Sequence, residues 1–310
     1  MTLRALILLS ALLVLPWMAT PARAQSCSSG TTATLDFGNI AANPTVQTDV
    51  TGTLNLTCTG SANQNLKICV SLDAGQDNAL SPRVLANGTA RLSYQIYSDA
   101  SRTLVLGPGN NQYYEAQVTL SGGGTATVPV PLYGRVIGSQ TGLAAGTYTS
   151  TMGGRAVTDT NTGRSCNSGN GISQSLQLTA SARIGASCTI VANDLAFPSA
   201  TGLNANIDGS STMQVTCTNN LPYNIKLNGG LTGNAAARRM GLQGNAPGVI
   251  QYQLFRDSGR SQAWGDSTAT QSSGTGTGSA QALTVYGRIP VQATPLAGDY
   301  KDTVTATVEY

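Results

Sequence analysis

Apolar and polar residues alternate in short runs along most of this chain of 310 residues. The cleanest run is at 303–310. Val304, Ala306, Val308 and Tyr310 share one face; Thr303, Thr305, Thr307 and Glu309 share the other. A period of two is that of a strand with one face buried. Leu54, Leu56 and Cys58 alternate in the same way, as do Leu66, Ile68, Val70 and Leu72, and Leu92, Tyr94 and Ile96. Residues 32–37, 103–106, 116–120 and 125–136 are further predicted strands. Turn residues separate the runs: Gly38, Gly60, Gly75, Asn87-Gly88, Gly107-Pro108-Gly109 and Gly122-Gly123-Gly124. Many short strands closed by such turns predict an all-β chain of sandwich domains, with no helix beyond an N-terminal leader.

The pattern occurs twice. Tyr133-Gly134-Arg135 returns as Tyr286-Gly287-Arg288, and Ala145-Gly146-Thr147-Tyr148 returns as Ala297-Gly298-Asp299-Tyr300. LSYQIY at 92–97 is matched by IQYQLF at 250–255, and Asp257 and Arg260 then stand where Asp99 and Arg102 stand. NLTCTG at 55–60 resembles QVTCTN at 214–219, and Leu195-Ala196-Phe197 resembles Leu35-Asp36-Phe37. Two copies so far apart mark a duplicated domain rather than a solenoid. In the second copy, strands are predicted at 186–191, 213–218, 223–227 and 250–255. The Ser/Thr/Gly-rich stretch 268–281 is expected to be a mobile loop.

One run has no twin. After a polar loop at 158–171, Leu176, Leu178, Ala180, Ala182 and Ile184 face one way, and Ser175, Gln177, Thr179, Ser181 and Arg183 the other. The second copy shows no such strand after its own last run, and nothing strand-like lies between the expected cleavage site after Ala24 and Cys27. A sandwich short of a strand exposes an apolar groove and unpaired backbone groups, which is costly until another chain covers them. The reading is that 175–184 completes the first domain from within the chain. The second domain is left open along Val304, Ala306, Val308 and Tyr310, to be filled by a strand from a neighbour. Such a subunit accepts a neighbour but cannot donate to one, so it ends a fibre. The alternative is an ordinary last strand at 175–184 followed by an independent, complete second domain.

Residues 1–24 carry Arg4, an apolar core from Leu6 to Leu15 and the small-residue site Ala22-Arg23-Ala24, so they read as a cleaved signal peptide. Residues 25–184 and 185–310 are then the two domains. Removing Arg4 and Arg23 takes the formal charge from +3 to +1, which offers nothing to nucleic acid. Six cysteines in an exported chain imply disulfides. The repeat aligns Cys27 and Cys58 with Cys188 and Cys217, which predicts Cys27–Cys58 and Cys188–Cys217 and leaves Cys69–Cys166 for the first domain alone. There is no histidine, so Ser-His-Asp and Cys-His catalysis is excluded. No enzyme, metal or cofactor is expected.

Ser187-Cys188-Thr189-Ile190, Val215-Thr216-Cys217-Thr218 and the run from Val285-Tyr286-Gly287-Arg288-Ile289 through Ala297-Gly298-Asp299-Tyr300 to Val304–Val308 resemble the spore coat U family. Its members are bacterial subunits of archaic, Csu-like chaperone–usher pili. The likeness covers nearly all of the second domain. It is looser in the first, which departs by Cys69 and Cys166 and by long insertions at 76–90 and 107–115. The resemblance implies immunoglobulin-like sandwiches, an N-terminal adhesin domain and an incomplete C-terminal pilin domain, in the two-domain layout of a tip adhesin. It implies a periplasmic chaperone, an outer-membrane usher and an adjacent pilin subunit as partners, and a place at the cell-surface end of a pilus. It also implies attachment to an abiotic or host surface and biofilm formation through apolar loops at the end of the first domain.

Candidate adhesive residues are Leu80, Pro82, Val84 and Leu85 in 79–88; Leu104, Val105, Leu106, Tyr113 and Tyr114 in 103–114; and Leu143 in 139–146. Tyr113 and Tyr114 are favoured, because adjacent strand residues cannot both face one core. Two other functions fit the composition: a secreted glycan-binding sandwich, and a structural spore- or cell-coat protein.

Overall fold

The computed structural model describes residues 24–30, 32–244 and 247–310. The expected leader, apart from Ala24, lies outside them. The first half forms β1 (Ser26–Ser28), β2 (Ala33–Ile40), β3 (Thr48–Thr59), β4 (Asn65–Leu72), β5 (Arg83–Asn87), β6 (Ala90–Tyr97), β7 (Tyr114–Thr119), β8 (Thr125–Val136), β9 (Gly146–Asp159) and β10 (Ile172–Ile184). One layer runs β1-β3-β8-β6. The other runs β7-β4-β9-β10-β2, and β5 joins them by pairing with β6 and touching β9 at a single bridge. The alternating apolar residues of both layers meet in one core that includes Leu35, Phe37, Leu54, Leu56, Ile68, Tyr94, Val130, Met152 and Leu178.

The second half forms β11 (Cys188–Ala192), β12 (Ile207–Cys217), β13 (Pro222–Leu227), β14 (Arg239–Leu242), β15 (Val249–Gln251), β16 (Gln253–Phe255), β17 (Ser272–Thr275), β18 (Ala280–Ile289), β19 (Tyr300–Lys301) and β20 (Ala306–Glu309). They make the sheets β11-β12-β18-β16, β17-β13-β20 and β15-β14-β19 around a separate core. The chain is nearly all β, in two sandwiches of the immunoglobulin type. No helix among the described residues is long and apolar enough to cross a membrane.

The repeated motifs are structural clamps. In each half, Arg-Tyr stacking holds the bend after β6 or β16: the guanidinium of Arg102 lies 5.7 Å over the Tyr133 ring, and that of Arg260 lies 5.7 Å over Tyr286. Arg135 and Arg288 bind Asp49 and Asp208 through two bonds each, at 2.7 and 2.8 Å. The glycine between Tyr and Arg is required by what crosses it. A Cβ on Gly134 would lie 2.9 Å from the Phe37 ring, and one on Gly287 would lie 2.7 Å from Phe197. The tyrosine of each Ala-Gly-x-Tyr donates its hydroxyl four residues back, Tyr148 to the Ala144 carbonyl at 2.9 Å and Tyr300 to that of Leu296 at 2.7 Å. This is the tyrosine corner of immunoglobulin-like sandwiches.

Three disulfides join Cys27 to Cys58, Cys188 to Cys217 and Cys69 to Cys166. The first two link facing residues of paired strands, β1 with β3 and β11 with β12. The third ties β4 to the loop before β10.

Several local expectations are corrected. Residues 103–106 are not a strand: Asp99 accepts the backbone N–H groups of Thr103 and Leu104, which bends the chain and leaves one bridge from Val105 to Tyr97. Residues 76–90 are not an insertion, because β5 within them corresponds to β14. Part of 268–281 is the strand β17, paired with β13. Gly38 does not end β2; the strand continues through it with φ +70°. The run at 250–255 divides into β15 and β16 at Tyr252.

Gly134→Ala should cost about 1–3 kcal/mol, because Phe37 is locked in a closed core. Gly287→Ala should cost less, because Phe197 is only half-buried and can move. Denaturant unfolding separates the two. Trp264 is buried in the second core, and the other tryptophan, Trp17, lies in the leader, so fluorescence reports the second half.

Candidate functional site

β10 pairs antiparallel with β9 along its whole length, from Ile172 opposite Thr158 to Ile184 opposite Gly146. Its other edge pairs in parallel with β2, Leu178 opposite Ala33 through to Ile184 opposite Ile40. Leu176, Leu178, Ala180, Ala182 and Ile184 all point into the first core and are almost fully buried. Beside them in the same layer, Tyr148, Ser150 and Met152 of β9 and Leu35 and Phe37 of β2 also face the core.

The second half has the same walls and nothing between them among the described residues. Val304, Ala306 and Val308 face the core but stay half-buried, and Tyr310 is 60% exposed. β20 pairs with β13 on one side only, Ala306 opposite Leu227 and Val308 opposite Ile225. Across the gap, Leu195 and Phe197 pack on the second core where Leu35 and Phe37 pack on the first. Phe197 meets Tyr252 edge-on at 6.2 Å, as Phe37 meets Tyr94 at 5.5 Å. Yet 193–206 joins no ladder. Among the described residues of the first half β2 joins a ladder only with β10, so a sandwich that lacks this strand loses the next one too.

The floor of the gap is partly polar. Asp302 occupies the inward place that Ser150 occupies beside Ala180. It accepts bonds from the Tyr252 hydroxyl at 2.6 Å and the Leu231 N–H at 2.7 Å. Ser150 likewise accepts the Gln76 N–H at 2.9 Å. Burial, and then the bond to Asp302, push the Tyr252 phenol well above its usual range. Beneath lies the buried Arg238, which donates to the carbonyls of Leu227 and Asn228, as Arg83 donates to those of Leu72 and Asp73. Burial lowers the pKa of both guanidinium groups.

The candidate adhesive residues divide. Leu85, Leu106 and Leu143 are buried in the first core and are withdrawn as contact residues. Leu85 is an inward residue of β5, Leu106 follows the Asp99 bend inward, and Leu143 sits behind the tyrosine corner. Leu104 is 54% exposed, Pro82 is exposed, and Leu80, Val84, Val105, Tyr113 and Tyr114 are half-buried. Leu80 and the 107–112 turn lie close together: a Cβ on Gly107 would stand 3.4 Å from a Leu80 methyl. These residues lie on the flank. The loops at the end remote from the second half are 60–64, 120–124 and 160–171, rich in Gly, Ser and Asn.

The residues that sequence reasoning missed are the groove's second wall, Leu195 and Phe197, and its polar floor, Asp302. The Leu-x-Phe repeat carried the signal for the wall.

The sequence matches the Spore Coat Protein U domain family over residues 15–154 and again over 174–307. No curated protein matches it. In fold it is similar to a chain from the chaperone–tip adhesion subunit pre-assembly complex of the archaic chaperone–usher Csu pili of Acinetobacter baumannii. The TM-score is 0.52 at 20% identity, covering 92% of this chain and 100% of that one. The CupB6 tip adhesin of Pseudomonas aeruginosa aligns with a TM-score of 0.42 at 13% identity, over 93% of this chain and 94% of that one.

The difference in closure has a measurable consequence. Leu178→Ala should destabilise the first half by about 2–5 kcal/mol, the cost of a cavity in a closed core. Val304→Ala, in the uncovered second half, should cost about 1 kcal/mol or less. Chemical denaturation, with Trp264 fluorescence for the second half and circular dichroism for the whole, distinguishes them.

Proposed function

We propose, for a chain that belongs to the Spore Coat Protein U domain family, the role of a tip subunit of a chaperone–usher pilus. Residues 25–184 are the adhesin domain and 185–310 the pilin domain. The pilin domain is completed by a donor strand that inserts between β20 and the 195–197 segment. The observation that carries the reading is the place of β10: filled within the chain in the first sandwich, empty among the described residues in the second. The likeness in fold to the Csu chain supports the two-domain layout.

A periplasmic chaperone would cover the groove before assembly, an outer-membrane usher would exchange it for the adjacent pilin subunit, and the protein would act at the cell surface. The groove floor suits such exchange. Asp302 is solvated while the groove is open, and its bonds to Tyr252 and Leu231 satisfy it once a strand covers it. Surface attachment and biofilm formation would fall to the first domain. Its flank around Leu80, Pro82, Leu104 and Tyr113 is the apolar surface left after the core residues are withdrawn.

Fusing a copy of 172–184 behind Tyr310, through a linker as long as the loop between β9 and β10, tests this. The graft should fill the groove, raise the unfolding midpoint of the second half and let 25–310 accumulate in a periplasm without chaperone. The ungrafted chain should be degraded or aggregate there. A stable monomer without graft or chaperone would overturn the reading in favour of a secreted binding module.

A further inference from the structure

The first and second sandwiches meet at a joint that extends beyond β10. The Asn219 side chain donates to the Gly142 carbonyl at 2.8 Å, and Asn43 donates to that of Gly278 at 2.7 Å. The backbones of Ala144 and Asn219 form a parallel bridge. Gly278, at φ +75°, comes so close to Gly142 that a Cβ on it would lie 3.0 Å from the Gly142 Cα. The loop 137–145 is thus seated on two loops of the second sandwich, 217–220 and 276–279.

β10 leads directly into this joint. Its last residue, Ile184, lies opposite Gly146, and Gly185 then bonds to Thr218 of the second sandwich. The second family match begins at residue 174, inside the β10 strand. By sequence β10 therefore opens the second family unit, and by packing it completes the first. One unit lends its leading strand to the other and then docks its body on the end of the strand's host.

The second sandwich carries the same presenting loop. Gln140 is clasped to Ser93 and Ile137, and Gln292 is clasped in the same way to Gln251 and Pro290. With the two tyrosine corners, these clasps superpose 139–148 on 291–300 residue for residue. Leu296 falls where Ala144 makes the bridge to Asn219, and Val291 falls where Ser139 stands. Both are free: Leu296 is 60% exposed and Val291 61%. Their exposure falls on the loop whose twin, 137–145, seats a neighbouring sandwich, which suits them to the same kind of contact.

We infer that the loop 290–298, through Leu296 and Val291, is the docking pad for the body of the next family subunit. That subunit would seat the loops corresponding to 217–220 and 276–279 here after its leading strand has entered the groove. A donor running as β10 does leaves the groove beside Gly298, next to the pad. The inference rests on the donor-strand reading above and adds a second contact to it.

The test places a photo-cross-linking amino acid at position 296, at 306 in the groove, or at 104 on the exposed flank. The full chain is produced in the cell that makes it, and cross-linked products are identified by mass spectrometry. The expected result is that 296 and 306 capture the same neighbouring family member and 104 does not. The 296 product should map to the loop that follows that subunit's Thr-Cys-Thr. Capture at 306 without 296, or capture at 296 of a chaperone alone, overturns the pad and leaves the groove standing. Capture of that neighbour at 296 alone overturns the groove, and with it the pad as the second contact of a donor strand. Failure at both positions, in a chain still displayed on the surface, overturns both. Position 291 serves in the same way if the 296 variant is not exported.

Discussion

A single strand bonded on both edges holds the first sandwich together. β10 supplies β9 with a partner along nearly its full length and gives β2 its only ladder partner among the described residues. It also fills the core with five buried side chains. These contributions are inseparable, because the hydrogen bonds fix the register that turns the apolar face inward. Removing such a strand does more than open a cavity. It strips β9 of one ladder, frees β2 entirely and exposes Leu35 and Phe37. The second sandwich shows that state: half-buried walls, a one-sided β20, and a 193–206 segment that keeps its apolar contacts but has no ladder to join.

That the open sandwich keeps its shape follows from where its other constraints lie. The Arg260–Tyr286 stack and the Asp208–Arg288 pair sit in the opposite layer, on β12, β18 and the bend after β16, and with the tyrosine corner and the Cys188–Cys217 bridge they match their counterparts in the closed half. Exposed ion pairs of this kind are individually weak. Their value is geometric, because each fixes a bend or a strand end. The buried arginines act at greater depth. Arg83 and Arg238 have no carboxylate bonded to them and bind backbone carbonyls at the ends of β4 and β13 instead. Loss of either would leave several buried acceptors unpaired. Duplication preserved these clamps and let the donor-facing side diverge.

Much of the fold was legible in the sequence, because alternation and glycine punctuation report strands directly. Val304, Ala306 and Val308, and the five inward residues of β10, stand out by period alone. What was not legible depended on contacts between distant segments. Leu85, Leu106 and Leu143 look like loop residues until β5 is paired, Asp99 has bent its turn and the tyrosine corner has closed over the loop. β5 and β14 are short and share no motif, so the equivalence of 76–90 with the second half appears only in the register. Asp302 looks like an exposed acid just after the Ala-Gly-x-Tyr motif. Its place beside a missing strand follows only from superposing it on Ser150.

The two halves read together explain why one chain keeps both a closed and an open form of the same sandwich. The closed form ties its strand to its body by the short loop 160–171, pinned by Cys69–Cys166, so closure is intramolecular and costs little entropy. A strand that arrives from another chain lacks that tether and pays the entropy of association. The groove alone then has to hold it, and a second contact at the exit of the groove adds binding without competing for the same backbone groups. The seam from Ala144 to Asn219 is such a contact in the tethered case, where it is needed least. At the open end the equivalent loop carries Val291 and Leu296 in place of Ser139 and Ala144. Small residues that suffice for a tethered neighbour give way to larger apolar ones where nothing else restrains the partner.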